Sequence, residues 1–360
     1  MKRTWAPTAF ARARRELRRV SPKPWRRRKR GARRRLLLGA VAAVFLAASV
    51  PSAQQTRPYK APRTPDGQPD LQGFWTNSTY TPLERPDGVT KALYTPEEAE
   101  AAIKLAIQRE SAQTEPGTTA DVHYDFSQFG LDRSQSLFVR NLRTSLIVDP
   151  PTGKIPPLTE EGKRRTALRT EEQKKLGGRW DSAESNQLDD RCLIMAGPGP
   201  PMMDAAYNSN YQIVQSPGVV MILTEMIHDV RIVTLDGRPQ PDAKVRQWMG
   251  VSRGRWDGET LVVETTNFNG KNPFRGSDEN LKVIERFTRL SDDTIEYKFT
   301  IDDPTMWTRP WSAESAMKKT VGPIFEHACH EGNFGLYNTL VGARLEEKRQ
   351  AEEALKKGSK

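Results

Sequence analysis

Lys282-Val283-Ile284-Glu285-Arg286-Phe287-Thr288-Arg289-Leu290, then Ser291-Asp292-Asp293, then Thr294-Ile295-Glu296-Tyr297-Lys298-Phe299-Thr300-Ile301-Asp302: two alternating runs around a polar turn decide the fold class of this 360-residue chain. Ile295, Tyr297, Phe299 and Ile301 alternate with Glu296, Lys298, Thr300 and Asp302. A period of two sends the first set to a core and the second to water. The partner strand then carries Val283, Glu285 and Phe287 on its inner face. Arg286 and Thr288 point outward, where Arg286 can meet Glu296 or Asp302. Glu285 is thus a carboxylate predicted on an apolar face, and its burial costs several kcal/mol unless it is paired or protonated. One reading makes it a general acid/base or ligand anchor. The other makes it a structural ion pair with an inward arginine such as Arg231 or Arg253, or places the strand one residue out of this register.

Similar signals fill residues 205–330. Runs 211–215 and 219–226 flank Ser216-Pro217-Gly218, a turn with Pro then Gly in the type II order. Run 229–235 ends at Asp236-Gly237. Runs 246–256 and 259–268 flank Asp257-Gly258, a two-residue hairpin signal. Turns at this spacing predict a mainly β protein: an antiparallel meander forming a barrel or strongly curved sheet with an occupied interior, and peripheral helices. In the Asp257-Gly258 hairpin, Trp256 pairs with Glu259, so Gly254 faces Leu261, Ser252 faces Val263, Gly250 faces Thr265 and Trp248 faces Asn267. Glycines at two same-face positions mark either barrel curvature or space for a ligand. The ligand reading recruits Trp248, Asn267 and Arg253.

Two further clusters carry chemistry. In Trp307-Thr308-Arg309-Pro310-Trp311, two indoles around a guanidinium form either a stacking platform for a sugar or aromatic ligand, or a cap on the end of a barrel. His228-Asp229-Val230-Arg231 sits at a strand start, where an imidazole, a carboxylate and a guanidinium can converge for proton transfer, or where the histidine is simply hydrogen-bonded at a strand edge. The sequence contains no Gly-x-Ser-x-Gly, no phosphate-cradling glycine loop and no dinucleotide fingerprint, so no cofactor is expected. Of the four histidines, His123, His228, His327 and His330, only the last pair is close in sequence. On a strand these two point to opposite faces, and no metal site is expected.

The N-terminus explains the chain's charge. Residues 1–35 hold 16 Lys/Arg and one acid, a balance of +15 against +11 for the whole chain, which leaves −4 for the rest. A nucleic-acid partner is therefore not expected, because the basic footprint lies outside the folded part. An apolar run from Leu36 to Ala48 follows, then Ser49, Ser52 and Ala53. Residues 1–53 read as a signal peptide that engages export machinery, with cleavage after Ser52 or Ala53. An uncleaved membrane anchor is the other reading. Arg33-Arg34-Arg35-Leu36-Leu37 fits a twin-arginine signal loosely. Export makes the lone pair Cys192 and Cys329 a candidate disulfide.

Residues 54–69 read as an extended, poorly ordered linker, and 70–348 as a single domain with its β core mainly at 205–330. Thr95-Pro96-Glu97-Glu98 is a helix start with Glu three residues after the cap. Thr159-Glu160-Glu161 opens a second helix. Arg143-Thr144-Ser145-Leu146-Ile147-Val148 reads as a strand ending at Pro150-Pro151-Thr152-Gly153. The loop 196–203, with three prolines and two glycines, must be pinned by its neighbours. A terminal helix over 340–357 closes the chain, its last turns and a frayed tail occupying 349–360.

Leu71-Gln72-Gly73-Phe74-Trp75 contains a Gly-x-Trp that resembles the opening motif of lipocalin-like barrels. Taken together, Pro69-Asp70-Leu71-Gln72-Gly73-Phe74-Trp75, Asp149-Pro150-Pro151-Thr152-Gly153, Met226-Ile227-His228-Asp229-Val230-Arg231, Gly254-Arg255-Trp256-Asp257-Gly258-Glu259 and Ala328-Cys329-His330-Glu331-Gly332-Asn333 resemble an uncharacterised family of secreted bacterial proteins. That family has no established activity. The resemblance implies export, both cysteines and one integrated domain, and it transfers no catalytic residue. The expectation is an exported protein that binds a small, partly aromatic or sugar-like molecule in a barrel-type pocket. An enzyme in the same pocket, with Glu285 or His228 as base and Arg231 or Arg253 as electrophile, is the alternative. A structural envelope protein that docks through its terminal helix is the third. Oligomeric state is not legible.

Overall fold

The alternating runs do form strands, and the strands close. A computed structural model describes residues 59–110, 138–176, 181–195, 197–205 and 207–358, all within one compact unit. The expected signal peptide, the start of the linker and His123 lie outside the described residues. The strands are β1 (Gly73–Thr76), β2 (Ile147–Asp149), β3 (Asn210–Ser216), β4 (Val219–Thr224), β5 (Val230–Thr234), β6 (Val251–Asp257), β7 (Thr260–Thr266), β8 (Lys282–Ser291), β9 (Thr294–Asp302) and β10 (Trp311–Lys319). Among the described residues three α-helices accompany them: α1 (Pro96–Glu110), α2 (Glu160–Lys175) and α3 (Phe334–Gly358).

Nine strands form a ring in the order β1-β3-β4-β5-β6-β7-β8-β9-β10, closed by β10 pairing with β1, while β2 joins β10. Strand direction cannot alternate all the way round a ring of odd number, so at least one neighbouring pair must be parallel. That pair is β5 and β6, joined by the crossover 235–250. The expected purely antiparallel meander is corrected here: Asp236-Gly237 opens a crossover rather than a hairpin. Residues 311–319, not expected as a strand, supply the closing element β10.

The interior is filled. Trp75, Tyr211, Ile213, Ile222, Val233, Val263, Phe287, Tyr297, Phe299 and Trp311 are all buried in one cluster. The β8–β9 register places Val283, Glu285 and Phe287 inside, as the alternation predicts. Arg286 meets Asp257 on β6 at 2.9 Å, rather than Glu296 or Asp302. The β6–β7 register differs from expectation: Asp257 pairs with Thr260, so Gly258-Glu259 is the turn and Trp256 faces Leu261. Gly258 takes a φ of +60°, a left-handed conformation that costs glycine nothing. The gap at Gly254 is occupied, because a Cβ there would meet Leu235 and Val233 at 2.7 Å. The missing side chain accommodates the neighbouring β5, so this strand's glycines reflect close strand packing and leave no ligand space.

Both predicted helix starts form. Glu98 N–H donates to Thr95 Oγ1 at 3.3 Å, and Thr95 N–H donates to Glu98 Oε2 at 2.7 Å, a reciprocal capping box. Thr159 caps α2 by accepting from the Gly162 N–H at 2.9 Å. The terminal helix begins at Phe334, ahead of expectation, and runs through the boundary placed at 348. The linker reading is corrected from residue 59 onward. Ala61 and Thr64 are buried, Tyr59 donates to Asp292 at 2.8 Å, and Arg63 pairs with Glu259. The cysteines form the expected disulfide, Cys192–Cys329.

Candidate ligand pocket

One end of the ring collects the irregular chain. There β1 and β7 end while β3, β6, β8 and β10 begin. The loops that leave these strand ends enclose a cavity of about 300 Å³. Its walls come from Met195, Gly197, 199–201, Met203 and Asp204 on one side and from Phe268, Asn272, Pro273, Phe274, Arg275 and Leu281 on the other, with Trp248 at the rim. This volume is at the lower end of the range for small-molecule sites, and a mostly apolar lining with few polar groups is their usual chemistry. Trp248 is 37% exposed, so part of its indole is open to solvent. Aromatic contacts run from the cavity wall into the barrel: Phe274 stacks on Trp311 at 6.2 Å, Trp311 meets Phe299 at 6.0 Å, Phe299 meets Tyr297 at 5.7 Å and Tyr297 meets Phe287 at 5.0 Å.

Beneath the cavity lies the charge that the alternation places inside. Glu285 is 0% exposed and Arg231 3%. The guanidinium binds the carboxylate through both nitrogens, Nη1 to Oε1 at 3.0 Å and Nη2 to Oε2 at 2.8 Å. Tyr297 donates its hydroxyl hydrogen to Glu285 Oε1 at 2.8 Å. The Met202 backbone N–H donates to Tyr297 Oη at 2.7 Å. Burial first, and then the adjacent Glu285 carboxylate, push the Tyr297 hydroxyl well above its ordinary pKa, so it stays protonated and able to donate. Asn77 Nδ2 donates to Met202 O at 3.1 Å, and Met203 N–H donates to Gly197 O at 2.6 Å. The proline-rich loop is therefore pinned from inside the barrel, as its composition requires, and Glu285 and Arg231 are its anchors.

The other sequence-predicted residues scatter. Trp307 and Trp311 are 2% and 0% exposed and meet edge to face at 5.8 Å. The stacking-platform reading is corrected: these rings close the barrel end, and Arg309 lies outside, bound to Asp149 at 2.7 Å. Asn267 lies outside the pocket lining; its Nδ2 donates to Asp242 O and Val245 O at 3.0 Å, fixing the crossover. Arg253 donates to Pro239 O at 3.3 Å and does not reach Glu285, whose partner is Arg231. His228 is exposed, 3.3 Å from His327 O through Nδ1, while Arg231 points inward, so the expected His–Asp–Arg convergence does not occur. Burial raises the Asp229 carboxyl pKa. Only Trp248 of the predicted ligand residues lines the cavity. Arg275, Phe274, Phe268 and Met203 were not anticipated; their sequence signal is an irregular stretch with no period. No protein-family model matches the chain, and no curated protein is significantly similar to it.

Proposed function

We infer that this protein is an exported binder of a small, apolar or partly aromatic molecule, held in the cavity at the loop end of its barrel. The observation that carries this reading is the cavity itself: a built, mostly apolar recess with an accessible indole, its wall tied by Met202 to a buried ion pair. A protein spends several kcal/mol desolvating such a pair. Here the pair, through Tyr297, fixes a loop that plugs the barrel core with Met202 and walls the recess. Export is supported by the basic leader and apolar run of the sequence, and by the disulfide, a bond that persists in oxidising compartments. The acid/base alternative finds no support in Glu285. Its carboxylate accepts three hydrogen bonds and has no exposed surface, so it acts as a positioning residue.

The test is native mass spectrometry of the protein purified from its exported pool, followed by denaturation. A co-purifying small mass, lost on denaturing and absent from a Trp248→Ala variant, is expected. A ligand retained undiminished by Trp248→Ala would place the binding elsewhere.

A further inference from the structure

The cavity has one cation. Among its described lining residues only Arg275 carries positive charge, and among the described residues its side chain has no hydrogen-bond or ion-pair partner. Arg275 is exposed at the edge of the cavity. Its backbone is left-handed, with a φ of +49°. That conformation disfavours any side chain bearing a Cβ, and such residues gather at sites where the surroundings over-determine them. The surroundings here are explicit. Arg169, from α2, donates to Gly276 O and binds Asp278 at 2.7 Å; Arg165 pairs with the same Asp278. Ser277 donates to Asp303 at 2.5 Å. The residues that follow Arg275 are held on both sides of the turn, while its guanidinium is left unpaired beside Phe274, Pro273 and the recess. Asp204, the acid in the lining, is already committed through Oδ1 to Ser209 at 2.8 Å.

Building on the pocket reading above, we propose that the ligand is an aromatic monoanion of one or two rings, such as an aryl carboxylate, with its charge on Arg275 and its ring between Trp248 and the Phe268–Phe274 side. A guanidinium offers a carboxylate a two-pronged hydrogen-bonded fit, and the apolar wall beside it offers the ring a contact surface.

Isothermal titration with 2-naphthoate and with the neutral 2-naphthalenemethanol tests this. Wild type is expected to bind the acid more tightly than the alcohol. Arg275→Gln should weaken the acid by about tenfold to a hundredfold, the loss of a charge-assisted hydrogen bond, and leave the alcohol within about twofold. Arg275→Lys should recover part of the loss. Arg275→Gly should lose the acid as Gln does, with an unchanged or higher Tm, whereas a purely structural arginine would lower it. Equal affinity for acid and alcohol, unaltered by Arg275→Gln, would overturn the anion assignment and leave the pocket standing. Failure of both probes to bind would overturn the pocket reading and this proposal together.

Discussion

At one end of the barrel the chain reverses in two residues at a time, through Pro217-Gly218, Gly258-Glu259 and Asp292-Asp293. At the other it wanders through 197–205, 207–209, 225–229, 267–281 and 303–310 before each new strand. The hairpin end is sealed by Arg289, whose guanidinium lies 5.7 Å over Trp75 and donates to Asp70 O at 2.7 Å, and by the turn at 59–70. The loop end has only isolated backbone bridges, such as Gln247 with Phe268, and adds side-chain ties: Tyr297 holds Met202, Thr224 Oγ1 donates to Met226 O at 3.2 Å, and α2 arginines hold 276–278. Tight turns solve a local steric problem and leave no room for a guest. Long loops create concave space, and the protein must then fix them with buried polar groups.

The contrast can be broken in order of cost. Removing the disulfide with Cys192→Ser and Cys329→Ser frees a loop of 137 residues, worth about 5 kcal/mol in the chain-entropy picture. Because Cys192 lies just before the pocket wall that begins at Met195, ligand affinity is expected to fall together with Tm in a thermal scan. A stability loss that left affinity untouched would detach the bridge from the pocket. Glu285→Gln comes next: it leaves the Arg231 charge buried without a counter-ion, a cost of about 3–5 kcal/mol. Chemical denaturation should show that loss, and Glu285→Leu with Arg231→Met should regain most of it. The double variant should still bind ligand poorly, since an apolar pair leaves Tyr297 without its acceptor beneath Met202.

Smaller changes sharpen the contrast. Gly258→Val at the hairpin end forces a branched side chain into a left-handed turn and should cost about 1–3 kcal/mol with no change in ligand affinity. Asp229→Asn addresses pH at the loop end. Burial raises the folded carboxyl pKa, so ionisation of this group opposes folding above that pKa, and the opposition is relieved as pH falls through it. The amide variant should therefore gain a little in Tm at pH 7, and the gain should shrink as pH drops into the carboxylate range. A gain that grew on acidification would contradict the assignment.

The hairpin end and the barrel's inner face were legible because they rest on local signals. Period-two alternation placed Phe287, Tyr297 and Glu285 inside, and Pro217-Gly218 marked a turn by its own φ preferences. The offset at Gly258-Glu259 arose because Asp257-Gly258 and Gly258-Glu259 both offer a glycine to a two-residue loop. Only strand pairing decides between them, and pairing is not local. Closure was hidden for a related reason. In β10, Trp311, Ala313 and Met317 face inward, but Ala313, Ser315 and Ala316 have weak strand preference, and the strand forms because β9 and β1 both need a neighbour. The parallel β5–β6 pair follows from ring parity, a property of the whole sheet. The site was less legible still. Glu285 and Arg231 were visible as candidates, but their role as loop anchors depends on Met202, and Arg275 sits in a stretch whose conformation is set by α2 more than 100 residues earlier.

Hydrogen exchange with and without saturating 2-naphthoate compares the two ends in one experiment. Protection gained in 197–205 and 267–281, with the turns at Gly218, Gly258 and Asp293 unchanged, is the result this account predicts. Protection gained at those hairpin turns, or a bound ligand that slows exchange in neither loop, would contradict it.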